Sequence, residues 1–160
     1  MCSSDLNRVL MRMTATLMDA LEHGNSVEET DEAMLRLGLP MAPSVLLAVV
    51  GPRVANHVLA TLNDAYPDRF PLSPTLANYA KGDDEIVVVE QRPRPVEQIT
   101  RDVLEAVADE IRHILDEGVV ADPADVYACL ILGAGWPFFL GGITPYLRDE
   151  GISAEVARAG

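Results

Sequence analysis

Two stretches of this chain place apolar residues at three- and four-residue steps and then stop at the same signal, a pattern that paired amphipathic helices satisfy. In the first, Val9, Leu10, Met13, Leu17 and Leu21 share one face from Asn7 onward and the run stops near Gly24. In the second, Ile99, Val103, Val107, Ile111 and Ile114 or Leu115 do the same, while Gln98, Arg101, Asp102, Glu105, Asp109 and Arg112 fill the other faces. Both end in Leu-x-x-Gly, Leu21 to Gly24 and Leu115 to Gly118. A capped short helix and a Gly/Pro turn follow each time, at Gly38–Pro43 and Gly133–Pro137. Gly24 to Gly38 is 14 positions and Gly118 to Gly133 is 15, so the two units follow one plan. The expected fold is all-α, two tandem degenerate helical repeats, too few copies for a solenoid.

Local signals divide the units further. Ser26 and Glu29 form a capping-box pattern opening a short helix with Val27, Ala33, Met34 and Leu37 on one side. The Gly38-Leu39-Pro40-Met41-Ala42-Pro43 run is a fixed turn, because each proline constrains its predecessor and removes a donor. Pro52 suits a first helical position, and Val54, Val58, Leu62 and Ala65 mark an amphipathic helix reaching Tyr66. Ser73-Pro74 starts a short helix through Leu76, Tyr79 and Ala80 that stops at Gly82. Residues 83–96 read as a linker with one extended segment at Ile86-Val87-Val88-Val89 and a closing Arg92-Pro93-Arg94-Pro95. Asp122-Pro123 opens another helix through Val126, Cys129 and Leu130, and a last short one runs from about Leu140 to Asp149. The expected division is a first unit at 7–82, the linker at 83–96 and a second unit at 97–160.

Charge and cysteine usage exclude several roles. A net charge of -13 repels phosphate backbones and anionic lipid surfaces, so nucleic acid is not an expected partner. No segment approaches the roughly 18 uninterrupted apolar residues of a membrane span. Cys2 and Cys129 stand far apart without a Cys/His cluster, which suggests neither disulfide nor zinc site and fits a reducing cytoplasm. Nor does any segment show the strand, glycine-rich turn, helix and downstream acid of a dinucleotide site.

The motifs carry a resemblance that covers Asn7 to about Ile152. Asn7-Arg8-Val9-Leu10, the Gly38–Pro43 turn and the second turn, with Trp136-Pro137-Phe138 and Gly141-Gly142, resemble the C-terminal helical domains of 3-hydroxyacyl-CoA dehydrogenases, of the type in the bacterial fatty-acid oxidation complex alpha subunit. The resemblance implies oxidation of a 3-hydroxyacyl-CoA to the 3-ketoacyl-CoA, with hydride passing to NAD and a His-Glu pair taking the hydroxyl proton. In that family NAD and the His-Glu pair belong to a nucleotide-binding domain, so this chain reads as a piece of the enzyme, silent alone and without a cofactor site of its own. Acyl-CoA is itself an anion, so its phosphates need local basic groups or that missing domain. Self-association through uncovered apolar faces is the other expected contact. The rival reading is a free-standing helical module that docks on a separate dehydrogenase subunit or dimerises.

One site residue transfers. Asn7 aligns with the family's asparagine that opens the first helix and helps position the substrate oxygen near the histidine, a task an amide performs without changing charge. The alternative for Asn7 is a helix N-cap. Ala42 stands where the family usually has glycine, and Leu140 where it commonly has arginine, so the charge contact of that arginine is not transferred. Residues 1–6 match the family poorly and are expected to be a non-native leader.

The remaining candidates favour structure. His23, His57 and His113 are scattered, without a nucleophile at matching spacing. Glu28, Glu29, Asp31 and Glu32 lack the oxygen pattern of a calcium loop and are expected as a solvated first helical turn. Met11, Met13, Met18, Met34 and Met41 either fill the core or line an acyl channel, with core filling favoured. Trp136 is expected in a packed corner.

Overall fold

The computed structural model describes residues 2–119, with side chains from Asn7 to Val119. Six helices follow in order: α1 (Cys2–Glu22), α2 (Val27–Leu35), α3 (Pro43–Val50), α4 (Pro52–Ala65), α5 (Pro74–Lys81) and α6 (Val96–Asp116). The expected helices after Asp122, with Trp136-Pro137-Phe138, Gly141-Gly142 and Leu140, lie outside the described residues.

The start and stop signals act as their chemistry requires. At α2 the Ser26 hydroxyl accepts from the Glu29 N–H while the Glu29 carboxylate accepts from the Ser26 N–H, a complete capping box. At α5 the Ser73 hydroxyl accepts from the Leu76 N–H, Pro74 sits in the first turn, and Gly82 ends the helix at φ 85°.

The structure also departs from the sequence expectations. Helix α1 begins at Cys2, so Asn7 lies within it and is not its cap. Helix α3 was not expected: eight residues, Pro-Ser-Val-Leu-Leu-Ala-Val-Val, form a helix with Pro43 in its first turn. An almost wholly apolar run has no periodic contrast to read. Along α4 the fully buried positions are Ala55 and Leu59, while Val58 and Leu62 are partly buried and Val54 is exposed. The segment 83–95 contains no strand, yet it is fastened: the Val89 and Arg92 N–H groups donate to the carbonyls of Glu22 and His23 at 2.8 Å each.

Helix α1 is apolar on two sides and holds the described residues together. One side, Val9, Met13, Leu17 and Ala20, packs in a cluster with Ala33 and Met34 of α2 and with Ile99, Val103, Val107, Ile111 and Ile114 of α6. The other, Met11, Ala15, Met18 and Leu21, packs with Ala55 and Leu59 of α4, with Phe70 in the α4–α5 connection and with Leu76 of α5. Helix α6 runs antiparallel to α1, since Arg8 near the start of α1 bonds Glu110 and Glu117 while Asp19 near its end bonds Arg94, just ahead of α6.

Helices α3 and α4 meet at Gly51 with a 92° bend. Among the described residues no single helix is long and apolar enough to cross a membrane. No residue of α3 is fully buried, and Val45, Val49 and Val50 face outward, Val49 with 71% of its surface exposed.

Candidate functional site

The bend between α3 and α4 opens a cleft of about 570 Å³ against α1. Its longest wall is α1, from Asn7 through Leu10, Thr14 and Met18 to Leu21. Helices α2, α3 and α4 supply further walls, and Tyr79, Asp84 and Ile86 complete the lining.

Most polar groups along these walls are already engaged. The Thr14 hydroxyl donates to the Leu10 carbonyl at 2.9 Å and the Thr30 hydroxyl to that of Val27 at 2.8 Å. Asp31 accepts from both the backbone N–H of Ser44, at 2.9 Å, and its hydroxyl. That double bond caps α3, whose own N-cap position holds Ala42 and has no side chain able to accept. Burial pushes the Tyr79 phenol above its ordinary pKa of 10.0, and the charge of Asp84 adds to the effect. Asn7 differs from these walls: it is exposed, lines the cleft, and its amide has no hydrogen-bond partner among the described residues.

A second polar constellation lies at the crossing of α1 and α6. Arg8 donates from Nε to Oε1 of Glu110 at 2.7 Å and from Nη1 to Oε2 of Glu117 at 2.8 Å. Arg69, between α4 and α5, reaches the same two carboxylates at 3.3 Å. The Tyr66 ring lies beneath Arg69 and Arg8, at 4.0 and 5.0 Å from its centroid. Hydrogen bonding from Arg8 comes first in holding Glu117 below its ordinary pKa of 4.5, against the opposing effect of burial. Two cations meet two anions here, so the cluster is closed upon itself and serves to seat α6.

The methionines divide between the two expected uses. Met11, Met13 and Met18 touch the cleft while also belonging to the buried clusters, Met34 is wholly buried, and Met41 is exposed. Asp31 caps α3, a role beyond the solvated first turn expected for it. His23 bonds the Asp19 carbonyl at 2.7 Å, and His113 lies 3.7 Å from Asp109. No group of metal-binding side chains occurs among the described residues.

Gly24, Gly38, Gly51, Gly82 and Gly118 all take positive φ just past helix C-termini, and Gly51 also leads directly into α4.

The described residues thus form an all-α body whose apolar cleft is lined from Asn7 to Leu21 by α1. Residues 6–84, just under half of the chain, match the 3-hydroxyacyl-CoA dehydrogenase C-terminal domain. The matched segment takes in α1 through α5 except the first residues of α1, and ends before α6.

Proposed function

We propose that this chain is the C-terminal substrate-cleft and association region of an NAD-dependent 3-hydroxyacyl-CoA dehydrogenase of fatty-acid β-oxidation, working in the cytoplasm. The observation that carries the reading is the family match over 6–84 coinciding with a cleft that begins at the amide of Asn7. A nucleotide-binding domain supplies the hydride acceptor and the base. Asn7 donates to the substrate's 3-oxygen as it becomes a carbonyl, which orients that carbon without adding charge. The exposed apolar residues of α3 outside the cleft lining, Val45 and Val49, offer the surface on which that domain is seated. The positive-φ glycine after both α1 and α6 supports α6 as the opening of a second copy of the same plan.

The test is NADH-dependent reduction of a 3-ketoacyl-CoA by the full chain, alone and mixed with a separately produced nucleotide-binding domain of a 3-hydroxyacyl-CoA dehydrogenase. No turnover is expected from the chain alone. Turnover is expected on mixing, and Asn7→Ala should lower kcat on the order of a hundredfold. Turnover by the chain alone, or a nucleotide-binding domain indifferent to its presence, overturns the reading.

A further inference from the structure

Helix α3 is the wall of the cleft with the least to hold it. It has eight residues and so is about 12 Å long, and alone among the six described helices it buries no residue fully. Every residue of α3 except Val45 and Val49 lines the cleft. A glycine at positive φ stands on either side of it, Gly38 at 82° and Gly51 at 94°. Gly51 ends α3 and opens α4 at once, at the 92° bend, and a Cβ there would meet nothing within 4 Å. Among the described residues, the two bonds from Ser44 to Asp31 of α2 are the hydrogen bonds that tie α3 to another helix. Beyond them, Leu47 rests partly buried against the cluster of α1, α4 and α5. The facing wall is nearly shut: Met11, Leu17, Met18 and Leu21 line the cleft from α1, yet each is at most 7% exposed. A molecule can cover more of them only when a neighbouring wall moves aside, and the element with the fewest buried groups opens at the least cost.

We infer that α3 is a hinged cover of the cleft: it swings as a unit about Gly38 and Gly51, and the Asp31–Ser44 pair is the latch that keeps it shut. Pro40 and Pro43 stiffen the chain between Gly38 and α3, so the rotation falls on the glycines. Opening breaks the two Asp31 bonds and lifts Leu47 from its cluster, while bonds that close α3 on itself, such as that from the Gly51 N–H to the Leu47 carbonyl at 2.9 Å, stay intact. The cover governs entry alone and does not depend on which ligand the cleft takes.

The experiment is stopped-flow measurement of the rate at which a neutral apolar fluorophore, N-phenyl-1-naphthylamine, enters the full chain. Asp31→Ala should raise that rate about fivefold, the factor that matches a lost side-chain cap of typical strength. Glu117→Gln loosens the α1–α6 crossing away from the cleft lining and should leave the rate unchanged. A cysteine pair at the latch, Asp31→Cys with Ser44→Cys in a Cys2→Ser, Cys129→Ser background, should crosslink on oxidation, slow entry by roughly tenfold or more, and recover on reduction. An unchanged rate in Asp31→Ala, or fast entry with the crosslink in place, overturns the cover. Equal acceleration by Glu117→Gln marks general loosening and also overturns it. So does a cysteine pair that will not crosslink, since the latch holds these side chains in contact, and so does a chain that takes up no fluorophore. None of these results touches the acyl-CoA reading, which turnover on mixing decides.

Discussion

Arg8 and Glu110, 102 positions apart, meet at 2.7 Å with Glu110 wholly buried. Arg69 also approaches Glu110, so one buried carboxylate serves two guanidinium groups from two parts of the fold. Removing that carboxylate leaves two largely buried cations to share Glu117 alone. Glu110→Ala should therefore cost about 3–5 kcal/mol, the range for breaking a buried pair from one side. Urea unfolding gives the number, and the Arg8→Ala, Glu110→Ala double variant should lose less than the sum of the singles. A loss under about 1 kcal/mol for Glu110→Ala would show that α6 is seated by its apolar stripe alone.

Acid should loosen the same crossing. Glu117 has its folded pKa held below the ordinary 4.5, first by the Arg8 hydrogen bond. A depressed folded pKa contributes stability that is present above the unfolded value and lost as pH falls through the folded one. Melting temperature should fall below about pH 4.5, and Glu117→Gln should flatten part of that fall while lowering stability at neutral pH. Identical acid profiles for the two proteins would remove Glu117 from the account.

Asp31 and Ser44 give a more local expectation. Their bonds are the side-chain cap of α3, so Asp31→Ala should cost about 1 kcal/mol, typical of a lost cap. Amide exchange should speed up within α3 and stay unchanged in α1 and α6. Uniform acceleration throughout would contradict a local role.

Gly24 turns the chain out of α1 at φ 95°, and a Cβ there would stand 2.4 Å from the Gln91 amide nitrogen. The side-chain tip can move, but the backbone conformation still penalises any L side chain by about 1–2 kcal/mol. Gly24→Ala should lower the melting temperature, and adding Gln91→Ala should restore little of it. Full recovery in the double variant would place the cost in the clash instead.

Much of this architecture was legible because its helices carry contrast. The α1 and α6 stripes, the Ser26–Glu29 box and the Gly82 stop are each local chemistry that a sequence displays. Helix α3 was hidden for the opposite reason: Pro-Ser-Val-Leu-Leu-Ala-Val-Val is nearly uniform, and its cap comes from Asp31, 13 positions from Ser44. The charge cluster was missed although a trace existed, since Glu110 falls on the same stripe as Val103, Val107 and Ile114. A charge in such a place must find a partner, but only the fold could name Arg8. Asn7 was singled out by resemblance, and the structure sets it at the cleft without engaging its amide.

Helix α6 lies beyond the end of the matched segment at residue 84, yet it supplies Ile99, Val103, Val107, Ile111 and Ile114 to the layer beneath α1. The matched stretch is thus smaller than the stretch that packs around α1. Trimmed at residue 84, the chain would lose Ile86 from the cleft lining and the buttress behind its longest wall. Sequence kinship and packing draw different borders here, and the second sets the shortest piece that keeps α1 covered on both of its apolar sides.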